Sequence, residues 1–164
     1  MKQSATLDSS FWINAHRAGL LGHVLDRFVV HYTPAVAIEL HESFPSGREF
    51  WRLARDGLLV ETAPIREALN LFGPGERAAI NLVSEHRDWV LLMDDRRPLA
   101  EAQRLGLRTL CTPVLVCTLF DEEQIDLRQA TQTLARLSAM QTVSPTLIQA
   151  ALAQISLDSR RKGI

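Results

Sequence analysis

Short apolar runs alternate along the chain with stretches in which apolar residues return every three or four positions, the pattern of strands followed by helices. Residues 4–7 (SATL) read as a short extended run stopped by Asp8-Ser9-Ser10, after which Trp12, Ile13, Ala15, His16 and Leu20 repeat at helical spacing. The β-branched and aromatic run from Phe28 to Tyr32 predicts a second strand. Thr33-Pro34 then supplies an N-cap and a first-turn proline for a helix that carries Glu39. Ser46 with Glu49 three residues on is a capping-box pattern for a third helix, ending near Asp56-Gly57, and residues 58–62 read as an edge strand.

Gly73-Pro74-Gly75 opens an amphipathic helix whose apolar side carries Ala79, Ile80, Leu82, Val83 and His86; the run before it, IREALNLF, looks helical. Trp89 to Met93 is continuous and apolar, as an inner strand covered on both faces should be, and it stops at Asp94-Asp95. A helix over 98–105 closes at Gly106, and 108–111 make a last short strand. Strands alternating with helices through residue 111 predict an α/β fold: a mainly parallel central sheet with helices on both faces. Helices over 112–120, 126–140 and 145–157 follow as C-terminal additions. No repeat or linker divides the chain, so 1–164 is expected to be a single domain. The stripes Leu127, Ala130, Leu134, Leu137 and Leu147, Ala151, Leu152, Ile155 suit core packing, with apolar surface to spare for a homodimer. Arg160-Arg161-Lys162 reads as a frayed basic tail.

Composition narrows the classes. With 46% apolar and 23% charged residues in 164, the chain can build a real core and is not disordered. A net charge of -1 argues against a basic nucleic-acid coat, so any polyanion must be held by a local cluster of arginines. Asp8 arrives before an apolar leader could start, and the uncharged run 137–157 carries Ser138, Gln141, Thr142, Gln149 and Gln154, so neither secretion nor a membrane span is expected. Cys111 and Cys117 lack zinc spacing and read as core thiols in a reducing cytoplasm. The five histidines make no paired-ligand motif, and His86 reads as a core residue. Residues 73–78 mimic a G-x-G-x-x-A dinucleotide fingerprint, but no strand precedes them, and Glu76 would face the incoming pyrophosphate.

In an open parallel sheet, ligands bind beyond the carboxyl ends of the strands. Two predicted strands end there in acids, Asp8 and Asp94-Asp95. Glu39 shares a helix face with Ala35 and Val36, and Glu76 shares one with Ala79, Ile80 and Val83. Carboxylates gathered in one crevice repel one another, and a hard divalent cation such as Mg²⁺ or Mn²⁺ is the usual reason to gather them. Each acid also has a plainer use: Asp8 as an N-cap, Glu76 at a helix N-terminus, Asp94-Asp95 as a solvated turn.

These residues also carry a resemblance. LDSSFWINAHRAGLL, TPAVAIEL, GPGERAAINLVSEHRDWVLLMDDRRPLAEAQRLGL and VSPTLIQAAL run in order over nearly the whole chain and resemble the PIN-like proteins of the predicted nucleic-acid-binding type. The resemblance implies a Rossmann-like sandwich and an acidic Mg²⁺ or Mn²⁺ site that cuts single-stranded RNA, as in the toxin halves of toxin–antitoxin pairs. It therefore brings an antitoxin protein into view as a partner. Carried over, the catalytic acids are Asp8, Glu39, Glu76 and Asp94, with Asp8, Glu76, Asp94 and Asp95 as metal ligands. The third acid is a glutamate where better-studied members have aspartate, and Leu92-Met93 stand where those have a Thr or Ser. Pro98-Leu99 replace a small residue followed by Arg, so phosphate binding falls to Arg77, Arg96 or Arg97. The alternative function on the same scaffold is a module that binds RNA or a partner protein without cutting.

Overall fold

The computed structural model describes residues 1–163. Five parallel strands, β1 (Gln3–Leu7), β2 (Phe28–Tyr32), β3 (Leu59–Glu61), β4 (Val90–Leu92) and β5 (Arg108–Leu110), form one sheet in the order β3-β2-β1-β4-β5. The chain builds outward from β1 to β3, then returns to the other side of β1 for β4 and β5. The order therefore reverses where β1 and β4 lie side by side, with Leu7 opposite Leu92. Val90 to Met93 are all buried, as an inner strand covered on both faces requires.

The alternation of side chains divides the interior into two cores. Leu91 and Met93 pack with Ala79, Ile80 and Val83 of α5 (Pro74–Glu85) and with Leu99 and Ala102 of α6 (Arg96–Arg104). Val90 and Leu92 pack on the opposite side, with α1 (Ser9–Ala18), α7 (Thr112–Asp121), α8 (Leu127–Ala139) and α9 (Pro145–Lys162). Trp12 and Phe50 meet edge-to-face in this larger core at 5.4 Å, and the Trp12 indole donates to the Ser46 carbonyl. The remaining helices are α2 (Leu21–Arg27), α3 (Pro34–Glu39) and α4 (Pro45–Arg55).

Several expectations need correction. Ser46 is not a cap: α4 begins at Pro45 with Phe44 as the capping residue, because a proline at the first helical position sets the helical φ there. The run 65–72 forms no helix. Its backbone groups are satisfied instead by α5, since Asn81 and Glu85 accept the N–H groups of Leu69, Ile65 and Arg66. The basic tail is the last turn of α9, where the Lys162 ammonium donates to the Phe120 and Asp121 carbonyls at the end of α7. Helix α6 starts two residues earlier than predicted because Asp95 caps it. The C-terminal stripes are largely consumed within the chain: Ala130, Leu134, Leu137, Ile148, Ala151 and Ile155 are all buried. No helix among the described residues is long and apolar enough to cross a membrane. Cys111 and Cys117 are free thiols that burial pushes up to about 11, which keeps them protonated and inert.

Candidate acidic site

Where β1 and β4 end side by side, the backbone delivers two aspartates to one place. The Asp8 amide donates to the Leu92 carbonyl, so the register that joins the strands also fixes Asp8 one residue past the sheet. Its carboxylate is fully buried and caps α1, with Oδ1 accepting the Phe11 amide at 2.9 Å. The second oxygen, Oδ2, is buried and has no hydrogen-bond partner among the described residues. Burial raises the Asp8 pKa well above the ordinary carboxylate value, and the neighbouring charges of Asp94, Glu76 and Asp95 raise it further, against the lowering effect of the Phe11 amide.

Asp94 is 1% exposed and held from three sides. Oδ1 accepts the Thr112 amide at 2.7 Å; Oδ2 accepts the Thr112 hydroxyl and the Asn14 amide, each at 2.8 Å. Asn14 is itself fixed by the Thr142 hydroxyl, which donates to its Oδ1 at 2.6 Å. Desolvation still raises the Asp94 pKa against these donors. It is thus not a solvated turn but a buried acid braced by α1, α7 and the loop before α9. Asp95, half-buried beside it, accepts the Arg97 amide.

The two glutamates are placed through backbone N–H groups. Glu76 accepts the Gly73 amide at 2.8 Å, closing the first turn of α5. Its pKa is raised, first by desolvation and then by the neighbouring charges of Asp95 and Glu39, against the lowering effect of the Gly73 amide. Glu39 was expected on a buried face, yet it is exposed, because α3 ends at this residue. It reaches across to α5 instead. Oε1 accepts the Gly75 amide at 3.0 Å, and Oε2 accepts the Ser9 hydroxyl at 2.5 Å. Residue 75 must be glycine for this approach, since a Cβ there would stand 2.6 Å from Oε2.

Charge repulsion from Asp94, Glu76 and Asp95 thus acts on Asp8, and from Asp95 and Glu39 on Glu76. Among the described residues no three acidic, His or Cys side chains are already gathered as a ready-made metal cluster. The donor set is nonetheless all carboxylate oxygen, one of them buried without a partner, which is the chemistry a hard divalent cation takes. Arg77, Arg96 and Arg97 form no ion pair with any of these acids among the described residues. Arg96 and Arg97 are exposed in the first turn of α6, and Arg97 lines a cavity of about 410 Å³ with Leu71 and Phe72.

Ser9, Asn14, Gly75, Thr112 and Thr142 escaped the sequence reading. Asn14 left one signal, a polar residue between Trp12, Ile13 and Ala15 in an otherwise apolar turn. The other four act through contacts with residues at least 18 positions away and leave no local pattern.

An open parallel sheet with acids gathered where its strand order reverses defines the class: a Rossmann-like α/β protein whose candidate site lies at the switch point. The family model DUF3368, a PIN domain, matches residues 5–157, so the chain belongs to the PIN-domain family. Among solved structures it is similar to the PIN domain endonuclease Utp24, with a TM-score of 0.53 and 13% identity, over 66% of this chain and 84% of that one. That likeness is one of fold. No curated protein matches it in sequence.

Proposed function

We propose that this PIN domain is a divalent-metal-dependent endoribonuclease that cuts single-stranded RNA in the cytoplasm, the toxin half of a toxin–antitoxin pair. The observation that carries the reading is the buried, unpartnered Oδ2 of Asp8, set among carboxylates that raise its pKa. A buried acid left this way costs free energy unless something binds it. Asp8, Glu76, Asp94 and Asp95 are the residues that would hold Mg²⁺ or Mn²⁺. When bound, such an ion polarises a phosphodiester oxygen and lowers the pKa of an attacking water. Glu39, held by Ser9 and Gly75 with lone pairs to spare, would be the carboxylate that accepts a proton. Arg77, Arg96 and Arg97 supply the cations that offset charge on the phosphate. An antitoxin protein and a second copy of the chain are the partners this reading brings, and light scattering at micromolar concentration tests the homodimer.

One observation favours a second reading, a module that binds RNA or a protein without cutting: three donors already satisfy Asp94 inside the protein. Calorimetric titration of Mn²⁺ into wild type and Asp8→Asn, paired with cleavage of single-stranded RNA, separates the two. The nuclease reading expects binding and cleavage by wild type and loss of both in the variant. Equal weak binding and no cleavage in both proteins selects the binding module.

A further inference from the structure

A cavity of about 1030 Å³ opens between α1, the loop over residues 40–44 and the end of α8, and Glu39 belongs to both this cavity and the acidic site. Its walls carry His16 and Arg17 from α1, His41 and Phe44 from the loop, and Arg136 from α8. Arg17 and Arg136, like most arginines of the chain, form no ion pair among the described residues.

Helix α4 holds the loop rigidly. Gly47 lies so close that a Cβ would stand 1.9 Å from the His41 carbonyl oxygen. The Arg48 guanidinium donates to the Ser43 carbonyl at 3.1 Å, the Trp51 indole donates to the Leu40 carbonyl at 2.7 Å, and Arg55 pairs with Glu42 at 2.6 Å. The loop so braced presents Phe44 with 64% of its surface exposed. An exposed aromatic ring on a braced loop, in one cavity with unpaired cations, suits a partner that brings a π-face and negative charge together.

We infer that this cavity takes an unpaired nucleotide of the RNA strand beside the scissile phosphate, its base stacked on Phe44 and its flanking phosphates on Arg17 and Arg136. The inference rests on the nuclease reading, since it is Glu39 that links the cavity to the acids. A base inside a duplex is stacked and paired, so this site makes recognition specific to single strands. Unpaired cations from two helices beside an exposed aromatic ring favour a polyanion over an apolar protein segment.

Fluorescence anisotropy of a labelled single-stranded RNA octamer with the full chain, in chelator so that cleavage is silent, tests the site. Phe44→Ala is expected to weaken binding by about tenfold or more, while Phe44→Trp retains it. Arg136→Ala is expected to weaken binding and reduce the salt slope by about one. A duplex of the same sequence is expected to compete poorly. Wild-type affinity in both Phe44→Ala and Arg136→Ala, the result for a face that docks a protein, overturns the inference, as does a wild type that does not bind the octamer. Cleavage in Mn²⁺ is scored separately: a wild type that binds through Phe44 but never cuts refutes the nuclease reading and leaves this site standing.

Discussion

Asp8 does two opposed things, and its variants separate them. It caps α1 through Oδ1, which stabilises the fold, and it buries a charge whose other oxygen is unpartnered, which destabilises it. Asn keeps the capping oxygen and removes the charge. Ala removes both, and loss of such a cap costs about 1 kcal/mol. For a chain of this length 1 kcal/mol moves the melting temperature by roughly 2–4 °C. In chelator at pH 7, Asp8→Asn should melt at or above wild type, with Asp8→Ala lower than Asp8→Asn by about 2–4 °C.

The pH dependence follows from the direction of the shift. Because the folded-state pKa of Asp8 is raised, the folded protein holds more protons than the unfolded chain between the two pKa values, and stability falls as pH rises through the folded value. The advantage of Asp8→Asn over wild type should therefore be absent in acid and grow toward neutral pH. Divalent cation reverses the comparison: at 100 times its Kd it adds about 2.7 kcal/mol to wild type, roughly 5–11 °C, and nothing to the variant. Calorimetric melts of the three proteins over pH, with chelator and with Mn²⁺, measure all of this. If Asp8→Asn melts clearly below wild type in chelator at neutral pH, the Asp8 charge is stabilising and the repulsion derived from its neighbours is wrong.

Gly75→Ala should displace the Glu39 carboxylate, 2.6 Å from the added Cβ, and lower RNA cleavage by roughly 10- to 100-fold while leaving the melting temperature near wild type. Asn14→Ala removes a donor from buried Asp94 and should cost about 1–3 kcal/mol in thermal melts, whereas Thr112→Ser, which keeps both donors, should stay close to wild type. His31 stacks on Trp89 at 4.0 Å, and its pKa is lowered by burial and by nearby His86, so its contribution is full above the unfolded value and lost as pH falls below it. Wild type should therefore lose more stability than His31→Asn between pH 7.5 and pH 5.5, as paired melts at the two values would show.

What the sequence made legible was set by the range of the forces involved. All five strands are local patterns of apolar or β-branched residues, and the two strand-end acids follow from where those patterns stop. Helix α2 went unread because Leu21 to Arg27 is too short for a period to declare itself beside α1. The run 65–72 has helical composition, but α5 offers its backbone better partners in Asn81 and Glu85, a tertiary choice that no local pattern encodes. Asp8 and Glu76 were readable at helix starts and as candidate ligands, and Asp95 as a solvated turn and a candidate ligand; each of the three caps a helix. A carboxylate at the start of a helix suits capping and metal binding alike, which is why spacing alone could not choose between them.

The ion pairs bear on that choice, although Asp26, Glu61, Glu67, Glu85, Asp88 and Asp126 also lie outside them among the described residues. Glu42, Glu49, Asp56, Glu101, Glu122 and Asp158 all lie in ion pairs with arginine. Asp8, Glu39, Glu76, Asp94 and Asp95 have none among the described residues, although Arg77, Arg96 and Arg97 are their neighbours in sequence. A chain balanced to a net charge of -1 has cations enough to neutralise this crevice. It satisfies the acids with amides and hydroxyls instead, from Phe11, Gly73, Gly75, Ser9, Asn14 and Thr112, which fix the positions of the carboxylates and leave their charge uncancelled. Uncancelled charge at fixed positions destabilises a fold and favours a cation, and that combination is what a binding site for a divalent ion requires.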